Sequence, residues 1–157
     1  MIISKTPMRV SLIGGETDLP FYYEDNEYGC VVSTTIDRYV YICVKNNFDK
    51  MIRLRYSENE YPNNIIDIKN DRIQSVFKRI GIRDNIEMFY ISDIPKRMGL
   101  GGSSSFTVGM LNAISKFKNI TMSAKELAKD SCDLEIYELD NLIGKQDQYA
   151  AAFGGLN

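Results

Sequence analysis

Along the first third of the chain, hydrophobic and polar positions alternate with the two-residue period of β-strands. Residues Arg9 to Ile13 alternate in this way and then run into the turn signal Gly14-Gly15. Two segments rich in Val, Ile, Thr and Tyr, Cys30 to Ile36 and Tyr39 to Lys45, are separated only by Asp37-Arg38. Such segments favour the pleated backbone, and the short polar break between them predicts a β-hairpin.

After residue 50, strand patterns alternate with helical ones. Met51 to Tyr56 alternates apolar and basic residues, which predicts a half-exposed strand, and Ile86 to Ile91 predicts another. Asp71 to Ile80 has apolar residues at helical spacing, and Gly81 is placed to end that helix as its C-cap. This order of elements predicts an α+β fold, with a mixed or antiparallel sheet packed against helices, rather than a parallel doubly wound sheet.

The last third of the chain is predicted to be helical. One apolar stripe at helical spacing consists of Phe106, Met110, Ala113, Ile114 and Phe117. Ser123-Ala124-Lys125-Glu126 is a capping box, which predicts a new helix running to about Leu139. A short loop at Asn141 to Gly144 then leads into the small residues Ala150 to Ala152.

Composition excludes several classes of function. The 157 residues carry a net charge of -2, so the basic excess of a nucleic-acid-binding protein is missing. The start of the chain has no secretory apolar region, and no apolar run approaches the roughly 20 residues that span a bilayer. We therefore expect a cytoplasmic protein without nucleic-acid or membrane partners. The chain has no histidine, and its three separated cysteines suit neither a disulfide framework nor zinc, so carboxylates are the natural proton acceptors.

A glycine- and serine-rich loop, Pro95-Lys96-Arg97-Met98-Gly99-Leu100-Gly101-Gly102-Ser103-Ser104-Ser105, lies between a predicted strand and a predicted helix. Glycines let a backbone approach a ligand closely, and the free N–H groups at a helix start attract anions. The same composition is typical of a plain serine-capped loop, and the residues alone leave both interpretations open. The Walker pattern is excluded because Ser103 stands where its lysine would be.

Three segments, in this order, resemble motifs of the GHMP kinases, a family that includes galactokinases, homoserine kinases and mevalonate kinases. Thr6 to Pro20 resembles the first motif of the family's sugar kinases, Ala-Pro-Gly-Arg-Val-Asn-Leu-Ile-Gly-Glu-His-Thr-Asp-Tyr. The loop resembles the second motif, Pro-x-x-x-Gly-Leu-Gly-Ser-Ser-Ala, with Gly102 replacing its first serine and Ser103 matching its second. Ile143 to Gly155 resembles the segment that carries the catalytic aspartate.

Within the family, the chain is most similar to the D-glycero-D-manno-heptose 7-phosphate kinases, through Gly-Gly-x-Thr-Asp-Leu-Pro near its start and Gly-Lys-Gln-Asp-Gln-Tyr-Ala-Ala near its end. The resemblance implies transfer of a phosphoryl group from ATP, with magnesium, to the anomeric hydroxyl of a sugar phosphate, a heptose 7-phosphate. Fucose or galactose as acceptor, a catalytically incomplete nucleotide- or sugar-binding module, and a purely structural domain stay open as alternatives.

The resemblance also implies roles for single residues. Asp147 matches the catalytic aspartate, Arg9 the basic residue beside it, and Ser103 and Glu135 the magnesium ligands. The expected phosphate-binding residues are Pro95, Gly99, Leu100, Gly101, Gly102, Ser103 and Ser104. The expected substrate-binding residues are Asp18, which matches an aspartate that binds sugar hydroxyls, together with Glu16, Thr17 and Lys145.

The resemblance finally implies the extent of the domain. Members of the family are longer than this chain and continue into a second, ferredoxin-like domain that carries a third glycine-rich motif. We expect residues 1–157 to form the N-terminal domain, which binds ATP and sugar and has the ribosomal-protein-S5-domain-2-like fold. The C-terminal domain is expected in the intact enzyme, and we expect weak or no turnover from this chain alone.

Overall fold

The computed structural model describes all residues from 1 to 157 and consists of one five-stranded sheet with helices packed against it. The strands are β1 (Ile2–Ile13), β2 (Val32–Lys45), β3 (Ile52–Arg55), β4 (Asn59–Glu60) and β5 (Ile86–Ser92). The helices are α1 (Pro20–Asp25), α2 (Asp71–Ile80), α3 (Gly102–Phe117), α4 (Ala124–Cys132) and α5 (Gln146–Phe153). A 3-10 turn occupies Ile65–Asp67, and a π-helical turn, Asp133–Glu138, continues α4.

The sheet is mixed, in the order β1-β2-β5-β3-β4, with β3 and β5 parallel and all other neighbours antiparallel. The predicted α+β class is therefore confirmed. Val40, Ile42 and Val44 of β2 are fully buried, as alternation along a strand with one covered face requires. They belong to the same core as Met110 and Ile114 of α3, which are also fully buried. The core thus lies between the sheet and its helices.

The predicted hairpin is wrong, because both of its segments belong to the single strand β2. Both halves pair with β1, and the register skips Asp37 and Arg38 between the pairs Pro7–Tyr39 and Met8–Ile36. Pro7 has no N–H group to give to the ladder, which makes this step a natural place for a bulge. Asp37 and Arg38 therefore form an exposed irregularity in a long strand rather than a turn.

The helix predictions hold where capping signals are strong. Helix α2 has the predicted bounds; Asn70 caps its start by accepting from the N–H of Ile73, and Gly81 ends it with a left-handed φ of 75°. The capping box of Ser123 and Glu126 is formed. The helix that follows was predicted to reach Leu139, but it widens into the π-helical turn after Cys132. Helix α1 was not predicted.

None of the helices combines the length and apolar composition needed to cross a bilayer.

Close packing of α3 on β1 places the start of that helix next to the strand that carries Arg9. The contact is made at Gly109, whose carbonyl accepts a 2.8 Å hydrogen bond from the buried hydroxyl of Ser4. A Cβ at Gly109 would lie 2.6 Å from the Thr6 Oγ1 atom, well inside van der Waals contact. Only glycine allows the two elements to approach this closely.

We predict that Gly109→Ala destabilises the protein by about 1–3 kcal/mol, because overpacking outweighs the better helix propensity of alanine. Urea unfolding should show a lower midpoint with an unchanged slope. Asn112→Ala, at an exposed position of the same helix, is the control for propensity and should not lower the midpoint. Equal midpoints for Gly109→Ala and the unmodified chain would refute the packing argument.

Candidate functional site

The loop between β5 and α3 leaves its main-chain amides unpaired. The N–H groups from Lys96 through Ser104 donate to no acceptor within the chain, and the first helical bond of α3 runs from Ser105 N to Gly101 O at 2.9 Å. Gly101 is the N-cap of α3, with a left-handed φ of 71° and no side chain to cap the helix. Free N–H groups at the positive end of a helix dipole form a site for an anion.

Arg9 of β1 sets the orientation of this loop. Its NH1 group donates to the Gly99 carbonyl at 2.7 Å, and its main-chain N–H donates to the Leu100 carbonyl at 3.1 Å. In a trans peptide the C=O of one residue and the N–H of the next point in opposite directions. Because both carbonyls face Arg9, the N–H groups of Leu100 and Gly101 point away from β1.

The same arginine side chain holds Asp147, in the first turn of α5. Arg9 Nε and NH2 lie 2.7 Å and 2.6 Å from the Asp147 Oδ1 atom. Burial raises the pKa of Asp147 above the usual value for aspartate, although the charge and the hydrogen bonds of Arg9 act in the opposite direction. Asp147 is therefore a partly buried carboxylate with one oxygen committed to Arg9 and its other oxygen, Oδ2, without a hydrogen bond.

The Arg9–Asp147 ion pair and the glycine- and serine-rich loop are in contact at Gly101. A Cβ on Gly101 would lie 3.2 Å from Arg9 Cγ and 3.3 Å from Asp147 Oδ2. The next residue, Gly102, has more room, because its Cβ would meet only the Met8 Cε atom, at 3.5 Å. Gly101 is thus required both by its φ and by the space left beside the ion pair, whereas a serine would fit at Gly102.

These residues line one side of a cleft of about 510 Å³. Its lining residues include Met8, Arg9, Asn70, Arg72, Tyr90, Phe106, Asp147 and the loop from Pro95 to Ser103. Asn70, Arg72 and Tyr90 were not among the predicted site residues. None of the three lies in one of the motifs. The packing of the start of α2 beside the loop brings Asn70 and Arg72 to the site, whereas Tyr90 lies in β5, the strand that leads into the loop.

Asp18 contacts the residues that lead into α5. Its Oδ2 atom accepts a 2.9 Å hydrogen bond from the main-chain N–H of Gln146, the residue before Asp147. A Cβ on Gly144 would lie only 1.9 Å from that same oxygen, so glycine is needed there. The structure therefore brings Asp18 to the N-terminus of α5, next to the predicted catalytic aspartate.

The other predicted substrate-binding residues are less directly placed. The hydroxyl of Thr17 donates to the Gly14 carbonyl at 2.7 Å and accepts from the Cys30 N–H at 3.0 Å, so it is committed to holding its own loop. Glu16 is exposed, with a left-handed φ of 74°. Lys145 places its Nζ atom 4.2 Å from the centre of the Tyr23 ring. None of these side chains lines the cleft.

Of the two predicted magnesium ligands, Glu135 already bonds to four other side chains. Glu135 is fully buried, and Oε1 accepts from Arg72 Nε (2.9 Å) and Thr107 Oγ1 (2.7 Å). Oε2 accepts from Ser104 Oγ (2.8 Å) and Gln148 Nε2 (2.6 Å). A carboxylate has about four lone-pair sites, and here all four are occupied.

Magnesium therefore fits only one of the two predicted ligands. Ser103 is exposed on the cleft side of α3, and its hydroxyl makes no hydrogen bond, which leaves a hard oxygen ligand free. Glu135 could reach an ion only by giving up one of its four donors, and the Arg72 guanidinium beside it would repel the ion. The serine bound to Glu135 is Ser104, the neighbour of the predicted one.

Comparison with known proteins identifies the family of the chain. Residues 68–155 match the family model described as GHMP kinases N terminal domain. The chain is 34% identical to the D-glycero-alpha-D-manno-heptose 7-phosphate kinase of Campylobacter jejuni, over 99% of this chain and 49% of that protein. It is 30% identical to a galactokinase of Thermosipho africanus, over 95% of this chain and 42% of that protein.

Among solved structures, a D-glycero-D-manno-heptose 1-phosphate kinase from Bacteroides thetaiotaomicron has a TM-score of 0.88 and 25% sequence identity with this chain. The match covers 100% of this chain and 55% of that one. The chain thus spans about half the length of the curated relatives it matches. The fold expected for the N-terminal domain is confirmed by this match.

Substitutions at two glycines of the loop test the contact with the ion pair. Gly99 and Gly101 share a φ of 71°, so alanine at either should cost about 1–2 kcal/mol of backbone strain. Gly99 faces open space, whereas Gly101 faces Arg9 and Asp147. We predict that Gly101→Ala lowers the free energy of unfolding, measured in urea, by clearly more than Gly99→Ala. Equal losses would show that the pair and the loop are not packed as described.

Proposed function

The chain belongs to the GHMP kinase family, and on that premise we propose that it is the ATP- and sugar-binding domain of a sugar kinase that phosphorylates the anomeric hydroxyl of a heptose 7-phosphate. One observation carries the proposal: the unpaired amides from Lys96 to Ser104 lie beside the Arg9–Asp147 pair. An anion-binding loop and a held carboxylate are the two parts that phosphoryl transfer needs close together.

The loop supplies the nucleotide side of the reaction. The amides of Gly99 through Ser104 would bind the β-phosphate of ATP, at the N-terminus of α3 where the helix dipole also favours negative charge. The cleft has room for the nucleoside, with Tyr90 and Phe106 among its walls. A magnesium ion bound with ATP would neutralise phosphate charge, and the ligand that this chain offers it is the Ser103 hydroxyl.

Asp147 supplies the acceptor side. Its carboxylate would orient the sugar hydroxyl and take the proton as the oxygen is phosphorylated. The upward shift of its pKa by burial makes it a stronger base than an exposed aspartate. The charge and hydrogen bonds of Arg9 act against that rise in pKa, in favour of the ionised carboxylate, and fix its direction.

The acceptor hydroxyl would lie between Asp147 and the phosphates of the nucleotide, with Asp18 close by at the start of α5. The carboxylate of Asp18 has lone pairs left after its bonds to Gln146 and can accept from sugar hydroxyls. Lys145, two residues before Asp147 in the chain, would offer its ammonium group to the 7-phosphate of the heptose, and the exposed Glu16 would contact the sugar. The similarity to a heptose 7-phosphate kinase supports this acceptor. Galactose is the second candidate, supported by the similarity to a galactokinase.

A binding module without catalysis is the competing class. It would need the nucleotide loop but not a carboxylate held by an arginine, and here both are present with ion-pair distances below 3 Å. The catalytic interpretation therefore explains more of the structure. The activity is proposed for the protein that contains this domain, since the chain spans about half the length of its kinase relatives.

We predict that Asp147→Asn lowers phosphoryl transfer by about 10²–10⁴-fold, the usual contribution of a general base, while leaving ATP affinity nearly unchanged. Transfer from labelled ATP would be followed in an assay sensitive to slow turnover, with heptose 7-phosphates, galactose and fucose as acceptors. Asp140→Asn, an exposed carboxylate near the same helix, is the control.

Normal transfer by Asp147→Asn would reject the assigned base. Phosphorylation of galactose or fucose in preference to every heptose 7-phosphate would retain the kinase and replace the proposed acceptor. ATP binding without transfer to any sugar would favour the binding module.

A further inference from the structure

The cleft contains one restrained arginine that the proposed reaction has not used. All three side-chain nitrogens of Arg9 contact Asp147 or the Gly99 carbonyl, and the Nζ group of Lys96 donates to Ser57 Oγ at 2.9 Å. Arg97 is exposed and unrestrained. Arg72, in the first turn of α2, lines the cleft with 30% of its side chain exposed. Only its Nε atom is bonded, so both terminal NH2 groups are free to bind a ligand.

Arg72 is held in place by Glu135, from the π-helical turn that follows α4. Arg72 Nε donates to Glu135 Oε1 at 2.9 Å, and that carboxylate has no exposed surface. Glu135 is itself fixed by Ser104 and Thr107 of α3 and by Gln148 of α5. A bond at Nε fixes the plane of the guanidinium, so little side-chain entropy is left to lose when its outer edge binds an anion.

We infer that Arg72 binds the phosphates of the nucleotide in the cleft, opposite the amides of the loop, and that Glu135 positions Arg72 for this role instead of ligating the metal. The inference rests on the proposed nucleotide site and adds a residue to it. A planar guanidinium with two free NH2 groups suits bidentate hydrogen bonding to phosphate oxygens.

A Glu135 that holds Arg72 and a Glu135 that binds magnesium together with Ser103 lead to different binding behaviour. If Glu135 holds an arginine, part of the affinity for polyphosphate comes from the protein itself and remains when divalent cations are removed. Arg72 should then matter for ATP and ADP but not for adenosine, which lacks phosphates.

The test measures equilibrium binding of ATP, ADP and adenosine to the 157-residue chain, in EDTA and with magnesium. Arg72→Met should weaken ATP and ADP in both conditions by about tenfold to a hundredfold, as expected for the loss of charged hydrogen bonds, and leave adenosine unchanged. Arg79→Met, in the same helix and paired with Asp130 and Glu138 away from the cleft, is the matched control and should bind all three like the unmodified chain.

A second variant distinguishes a loss of phosphate binding from a loss of folding. Arg72→Met leaves the buried Glu135 carboxylate without its cation, which is expected to be destabilising. The double variant Arg72→Met with Glu135→Gln removes both charges together and should show the same selective loss of ATP and ADP. Glu135→Gln alone should give a smaller loss with the same selectivity, because Arg72 remains but is held less firmly.

The outcomes separate this inference from the proposed function. If the unmodified chain binds none of the three ligands, the nucleotide site itself is rejected and the inference with it. If it binds ATP more tightly than adenosine but the Arg72 variants do the same, only the inference fails. An equal loss for adenosine and ATP would also overturn it, since Arg72 would then have a merely structural role.

Discussion

Arg9 holds the Asp147 carboxylate with its Nε and NH2 groups and the Gly99 carbonyl with NH1, so strand β1, the loop before α3 and the first turn of α5 share one side chain. Drawing the carbonyls towards β1 turns the N–H groups of the following residues away from β1. The same contact offsets the cost of burying Asp147. The guanidinium of Arg9 therefore positions the anion-binding loop and the Asp147 carboxylate relative to each other. Gly101 is the residue that lets the loop approach the carboxylate this closely.

Much of the fold was predictable because its signals are local. Asn70, Gly81 and the Ser123 capping box act through bonds within a few residues, and the helices they delimit begin or end as predicted. The hairpin prediction was wrong because a turn between two strands and a bulge within one strand have similar sequences. Whether Asp37-Arg38 turns the chain or bulges out depends on β1, which pairs with both halves of β2. The π-helical turn has no such local capping signal, and the partners of its Glu135 lie in α2, α3 and α5.

The candidate site, too, has features that the sequence predicts and features that depend on distant contacts. The family resemblance pointed to Arg9, Asp147 and the loop, and the structure does bring them together. The resemblance could not show that Glu135 bonds to Ser104 and Arg72, because those contacts join two separate helices and a π-helical turn. Nor could it show that the hydroxyl of Thr17 is consumed by its own loop. Motifs indicate which residues take part, whereas hydrogen-bond saturation shows which of their atoms are still available.

The central claim is that the unpaired amides before and at the start of α3 bind the phosphates of a nucleotide. Amide NMR of the chain during addition of ATP, and separately of adenosine, tests it most directly. Large shifts of the Gly99 to Ser104 signals with ATP, and small ones with adenosine, are the predicted result. Saturable ATP binding that leaves these six signals unmoved, with its shifts located on another face of the domain, would contradict the account.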